Sequence, residues 1–363
     1  MSGGRPDLGP ATGLRTVPVP SGPTGLGTVQ EEDWQSAVAA LDAAGEICLA
    51  CHVRPDGDAL GSMLAVAQAL RARGTARVIA SFGDDPFGVP GLLRFLPGLD
   101  LLSPPGAVPS RPQVMITFDV SSVDRLGVLA GRAEQAGELI VLDHHASNPG
   151  FGTVNLIDPA AAATAVLAAQ LIDRLGVALT ADIAAGLYTA LVTDTGSFRF
   201  SATPGVHHLA ARLLETGIDP EAIAQRLWDS VPFGYLRVLS AALRRAVLEP
   251  AAAGGHGLVW TAVTRQDRAE GGLPFEVAEG VIDQVRRSQE ADVAVVLKEA
   301  DDGRWHVSAR SKGRVDVGRA ATALGGGGHS QAAGFTISAP VADTMVRLRA
   351  LLSEPGPSGP GDA

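Results

Sequence analysis

From residue 31 to about 142, short apolar runs alternate with amphipathic stretches. Residues 34–43 read as an amphipathic helix and 47–52 as a strand. A helix begins after Asp58, with Leu60, Leu64, Ala67 and Leu70 at helical spacing. Strand-like runs follow at 77–82, 114–118 and 138–142. Short apolar strands separated by helices predict an α/β fold with a parallel sheet and helices on both faces. From 159 to 246 the period becomes helical throughout: an Ala-rich helix, then 182–192, 206–215, 220–229 and 233–247.

A Gly/Ala-rich stretch at 249–257 marks a change of composition. Beyond it lie strands at 258–263, 293–299, 305–310 and 334–338, with helices at 277–287, 316–324 and 341–352. The expected organisation is a larger domain over 29–220, a helical connector over 221–248 and a smaller C-terminal α/β domain over 249–355. Residues 1–28 and 356–363, rich in Gly and Pro, read as a disordered leader and tail.

Composition narrows the class. Of 363 residues, 46% are hydrophobic and 19% charged, which is globular usage. No run of 18 or more apolar residues occurs, so no membrane span is expected, and no signal pattern opens the chain. The two cysteines, Cys48 and Cys51, sit in a strand-like run and would point to opposite faces; they read as core residues of a protein in a reducing cytoplasm. A net charge of −10 argues against a partner as long as a nucleic-acid duplex, whose phosphates call for a basic stripe. A nucleotide substrate would therefore be short, with cations neutralising its phosphates.

Four segments carry candidate chemistry. The first is His52-Val-Arg-Pro-Asp56-Gly-Asp58, between a strand and a helix, where Gly57 permits a sharp turn between two carboxylates. The second is Asp119 at the end of 114–118. The third, Asp143-His144-His145, closes 138–142, and the fourth, Thr193-Asp194-Thr195-Gly196, closes an apolar helix. Any one has an ordinary reading; Asp58 alone would serve as a cap for the helix it precedes. Three of the four fall at the carboxyl edge of the predicted sheet, where open α/β sheets bind ligands. His52, Asp56, Asp58, Asp119, His144 and Asp194 are thus expected to converge, and so many carboxylates call for divalent cations. Mixed imidazole and carboxylate ligation suits Mn²⁺ better than Mg²⁺. His207-His208, at a helix start, reads as incidental.

The segments H-x-x-P-D-G-D-A-x-G-S, Asp119, D-H-H and T-D-T-G resemble the four motifs of the DHH phosphoesterase superfamily, with no departure at a ligand position. In the second half, Ser308-Ala-Arg-Ser-Lys-Gly-Arg314 and Gly325-Gly-Gly-Gly-His329-Ser-Gln-Ala-Ala-Gly334 resemble its DHHA1 substrate-binding domain. The resemblance implies two divalent cations: His52, Asp56 and Asp119 on one, Asp58, Asp119, His144 and Asp194 on the other. Asp143 would orient a histidine, and His145 would face the scissile phosphate. Arg310, Ser311, Arg314, Gly326, Gly327, Gly328 and His329 would form a phosphate cradle for the end of the substrate away from the cations. The resemblance is to the nanoRNase and pAp-phosphatase branch. It implies a homodimer that cuts short oligoribonucleotides such as pApA to mononucleotides and dephosphorylates 3′-phosphoadenosine 5′-phosphate. A cyclic di-AMP phosphodiesterase and, from another class, a non-catalytic nucleotide sensor are the competing readings. The glycine loop argues against an inorganic pyrophosphatase, and the short acidic chain against a processive exonuclease.

Overall fold

The computed structural model describes residues 29–354; the expected leader over 1–28 and tail over 356–363 lie outside the described residues. The chain forms two compact units that divide after Pro220. The first contains α1 (Glu31–Ala43), β1 (Glu46–Cys51), α2 (Gly57–Ala72), β2 (Arg77–Phe82), β3 (Val114–Phe118), α3 (Ala130–Ala133), β4 (Glu138–Asp143), β5 (Val154–Ile157), α4 (Thr164–Arg174), α5 (Ala181–Asp194) and α6 (Pro204–Leu214). All five strands are parallel, in the order β2-β1-β3-β4-β5. The chain leaves β1 toward β2 on one side and returns to β3 on the other. The crevice beyond the carboxyl ends of β1 and β3 is therefore the topological switch point of this sheet.

Strand alternation sends Cys48, Ala50, Met115, Leu139 and Val141 to one face, against Leu126, Leu129 and Ala133 from the turns around α3. The other face is covered by α2 and α4, and α5 lies over both. Sandwiched in this way, α2 is buried at every residue from Gly57 to Leu70, which explains why its sequence is apolar nearly all round. Gly61 makes the close crossing with α5 possible: a Cβ there would stand 2.5 Å from the Gly186 carbonyl oxygen. The same contact brings the C-terminal end of α5 to the N-terminal end of α2, where a Cβ on Gly57 would meet the Thr193 side chain.

The second unit adds α7 (Pro220–Trp228), α8 (Phe233–Arg244), β6 (Val247–Glu249), β7 (Leu258–Val263), α9 (Arg265–Gly271), α10 (Val281–Val285), β8 (Val293–Glu299), β9 (Trp305–Ser311), α11 (Val317–Ala323), β10 (Gly327–Gly328), β11 (Ala332–Ile337) and α12 (Val341–Ser353). Its sheet has the order β10-β11-β9-β8-β7-β6 and is antiparallel except for β7 with β8. One face packs on α11 and α12 through Val317, Ala321, Met345 and Leu348. The other packs on α8 and α10 through Tyr235, Val238, Ala242, Val281 and Ile282.

Several boundaries differ from expectation. The helix expected over 233–247 stops at Arg244, because Val247–Glu249 pair with Leu258–Trp260 as an edge strand. The helix expected over 277–287 shrinks to α10, preceded by a 3-10 segment that follows Pro274. Strand β5 and helix α9 were not expected at all. Among the described residues, no helix is long and apolar enough to cross a membrane. Cys48 and Cys51 are both buried and free, and burial pushes the Cys48 thiol up to about 12.

Candidate active site

Each candidate segment leaves its element at the switch-point edge. His52 follows β1, Asp119 follows β3, Asp143 ends β4 with His144 and His145 beyond it, and Asp194 ends α5. Asp119 has φ +60, an uncommon conformation for a residue with a Cβ. Its amide donates to the Leu142 carbonyl at 3.0 Å, which ties this turn to the neighbouring strand. Asp56, rather than Asp58, caps α2, accepting the Ala59 amide at 3.0 Å. Asp58 lies inside the first turn, 1% exposed, and its carboxylate accepts the Thr164 and Ala165 amides and the Ser62 hydroxyl.

The six expected ligand residues converge as two groups. Ligand atoms of His52, Asp56 and Asp119 lie within 4.8 Å of one another, and so do those of Asp58, His144 and Asp194. His52 Nε2 stands 3.4 Å from Asp119 Oδ2 and 3.8 Å from Asp56 Oδ2. His144 Nε2 stands 3.4 Å from Asp119 Oδ1, 3.5 Å from Asp194 Oδ2 and 4.0 Å from Asp58 Oδ2. Asp119 therefore turns one oxygen to each group. These separations exceed normal hydrogen bonds, yet suit atoms that share an ion at about 2.1 Å each.

The imidazoles are oriented alike. His52 Nδ1 lies 2.9 Å from the Val53 carbonyl oxygen, His144 Nδ1 3.2 Å from the Ala161 carbonyl oxygen, and His145 Nδ1 2.7 Å from Asp143 Oδ1. Each acceptor holds the proton on Nδ1 and leaves Nε2 with a lone pair pointing away, the arrangement of a histidine presented to a cation or substrate. Asp143 is fully buried and also accepts the His144 amide and, at 2.6 Å, the Asn148 side-chain amide.

The electrostatics fit a cation. Burial pushes Asp58 well above the carboxylate range, with the charges of Asp119 and Asp194 adding to it. Burial also raises Asp194 to about 7, the nearby His144 offsetting only part. For His52 and His144 burial opposes protonation, but the facing Asp119 outweighs it. Asp56 adds to the rise at His52, and Asp194 and Asp58 to that at His144; the two imidazoles reach about 10 and about 11. Four clustered carboxylates thus hold protons or imidazolium ions that a divalent cation would displace.

In the second unit the expected substrate residues divide. Arg310, on β9, is half-buried and donates to the Ala309 carbonyl at 3.0 Å; burial lowers its pKa. Arg314 and His329 are exposed. Ser311 is buried; its hydroxyl donates to Asp292 at 2.8 Å and accepts the Gly313 amide at 2.9 Å. Gly327 and Gly328 form β10, paired with Gly334 and Ala333. The Gly326 amide donates to the Ala321 carbonyl and the His329 amide to that of Ala332. Of the backbone N–H groups expected in the cradle, those of Gly326 and His329 are thus engaged within this unit.

Sequence reasoning missed Thr164 and Asn148. Asn148 is a small polar residue in a loop-like run, and Thr164, whose hydroxyl donates to Asp119 Oδ1 at 3.0 Å, opens an Ala-rich helix; only the chemistry of their neighbours distinguishes them. Asn148 lies five residues beyond Asp143, a signal that the Asp-His-His run could have pointed to.

The N-terminal-domain model of the DHH family matches residues 46–191, and the DHHA1 domain model matches residues 258–354. The bifunctional oligoribonuclease and PAP phosphatase NrnA of Thermus thermophilus is 37% identical over 294 residues, covering 81% of this chain and 84% of that protein. A probable protein of the same description from Streptococcus mutans is 24% identical, covering 83% and 92%. In structure, an exopolyphosphatase-related protein from Bacteroides fragilis matches with a TM-score of 0.79 at 21% identity, over 90% of this chain and 96% of that one, which shows the fold. With both domain models matched in order and that identity over most of its length, the chain belongs to the DHH–DHHA1 family of metal-dependent phosphoesterases, in its NrnA-like branch.

Proposed function

We propose that the protein hydrolyses short oligoribonucleotides such as pApA to mononucleotides, and removes the 3′-phosphate of 3′-phosphoadenosine 5′-phosphate, using two divalent cations, with Mn²⁺ preferred. The observation that carries this reading is the pair of buried imidazoles, His52 and His144, whose Nδ1 atoms are engaged and whose Nε2 atoms face carboxylates from three segments. The name and identity of the Thermus relative support the substrate class.

His52, Asp56 and Asp119 would hold one cation, and Asp58, Asp119, His144 and Asp194 the other. Cations held there would supply Lewis-acid polarisation of a phosphoryl oxygen and a water acidic enough to act as nucleophile at neutral pH. The chain's own groups do the rest. Asp143, fixed by Asn148, keeps the His145 proton on Nδ1 and so presents Nε2 toward the scissile phosphate or its leaving oxygen. Arg310, Arg314 and His329 would bind phosphate or ribose of the remainder of the substrate, Arg310 with the donors its single carbonyl contact leaves over. Family resemblance supports a homodimer, which light scattering of the purified protein would check.

A substrate panel in Mn²⁺ tests the assignment. The largest kcat/KM is expected on pApA, with 3′-phosphoadenosine 5′-phosphate turned over and cyclic di-AMP cut poorly. A larger kcat/KM on cyclic di-AMP would replace this reading with a cyclic-dinucleotide phosphodiesterase. No chelator-sensitive turnover of any of them would leave a sensor.

A further inference from the structure

Helix α4 begins without a cap of its own, since its N-cap is Ala163 and no side chain from that position reaches the first turn. Its first two amides bond elsewhere. Thr164 N donates to Asp58 Oδ2 at 2.6 Å and Ala165 N to Asp58 Oδ1 at 3.0 Å, across more than a hundred residues of chain. Ser62 adds its hydroxyl to Asp58 Oδ1 at 3.0 Å. The Thr164 hydroxyl, fully buried, donates to Asp119 Oδ1 at 3.0 Å. That is the oxygen facing His144, while Oδ2 faces His52. One residue thus touches a carboxylate confined to one group of candidate ligands and the carboxylate shared by both.

We infer that Thr164 is a positioning residue for the cation centre, its amide fixing Asp58 and its hydroxyl fixing which oxygen of Asp119 faces each ligand group. The inference rests on the reading of Asp58 and Asp119 as ligands. A carboxylate turns easily about its Cβ–Cγ bond, and an interchange of the Asp119 oxygens would disturb both groups at once. A single hydroxyl donor removes that freedom while leaving the other lone pair of Oδ1 for a cation. Partners of this kind carry about 10- to 100-fold in metal affinity.

The competing role is packing, since Thr164 sits in a close-packed interior. Two substitutions separate them. Thr164→Val keeps the shape and deletes the hydroxyl; Thr164→Ser keeps the hydroxyl and deletes a methyl group. Mn²⁺ affinity of the purified full-length protein, measured calorimetrically, is the readout, with circular dichroism to confirm folding. Thr164→Val should weaken Mn²⁺ binding by about 10- to 100-fold, and Thr164→Ser should bind close to wild type. Thr164→Ala, which also lacks the hydroxyl, should match the valine variant and replaces it if that variant does not fold. Thr189→Val is the control: its hydroxyl is buried with no hydrogen-bond partner among the described residues, and its loss should leave affinity unchanged. Wild-type affinity in Thr164→Val, or equal losses in the valine and serine variants, would overturn the inference. Wild-type protein that binds no Mn²⁺, or whose binding survives Asp119→Ala, would instead remove the ligand reading, and the inference with it.

Discussion

Cation binding to this site should expel protons in a number set by its histidines. In protein stripped by a chelator, His52 and His144 have pKa values of about 10 and about 11, because the facing carboxylates outweigh the cost of burial. At pH 7.5 His52 is then neutral in only about one molecule in 300, and neutralising it costs roughly 3 kcal/mol, with roughly 5 for His144. A cation requires the neutral imidazole. Each histidine therefore releases one proton, and Asp194, at about 7, adds a fraction of another. Filling the site should release about two to three protons, and the overall affinity should rise about 100-fold per pH unit above neutrality. Titration calorimetry with Mn²⁺ in buffers of low and high ionisation enthalpy counts these protons directly. Release of fewer than about one proton would refute the electrostatic account. Stability follows with the same sign. The raised histidines stabilise the stripped protein fully below about pH 6.5, and that contribution is lost as pH rises through 10 to 11. The raised Asp194 contributes stability that falls between about pH 4 and 7. The gain in Tm on adding Mn²⁺ should therefore grow as pH rises.

Four substitutions probe other groups. Asp143→Asn leaves one side-chain oxygen where two now accept from His145, Asn148 and the His144 amide. It should lower kcat by about 10²- to 10⁴-fold through the wrong tautomer of His145, with bound metal unchanged; kcat within tenfold of wild type would contradict that role. Gly61→Ala drives a Cβ against the Gly186 carbonyl and should cost about 1–3 kcal/mol, read as a Tm lower by several degrees; an unchanged Tm would show that the α2–α5 crossing yields freely. Arg310→Ala and His329→Ala should each reduce kcat/KM on pApA by about 10- to 100-fold while sparing a small generic phosphodiester. Equal losses on both substrates would place these residues outside substrate recognition.

Much of the site was legible because its residues sit at a position that topology defines. Three apolar strands, each ending in Asp or His, could be read directly, and parallel pairing of β1, β3 and β4 brings those ends to one edge. Asp194 was legible for a different reason: it ends an apolar helix whose glycine contact with α2 aligns the two termini. What escaped lacked a periodic signal. Val154–Ile157 is only four residues long, and α9 is a short polar helix held by a capping box at Thr264 and Asp267. Thr164 escaped because its importance lies in partners 45 and 106 residues away. The glycine loop shows the reverse. Its composition pointed to free backbone donors, whereas the helix end at Ala321 and the turn at Ala332 take up the amides of Gly326 and His329.

On the proposed function, Asp119, with one oxygen turned to each group of imidazole and carboxylate ligands, is indispensable to cation-dependent hydrolysis of short RNA. The most direct measurement compares hydrolysis of pApA in Mn²⁺ by the wild-type protein and by Asp119→Ala, each folded by circular dichroism. Wild type should yield mononucleotides in a reaction that a chelator stops, and Asp119→Ala should show no turnover above background; near-normal hydrolysis by the variant would contradict the account.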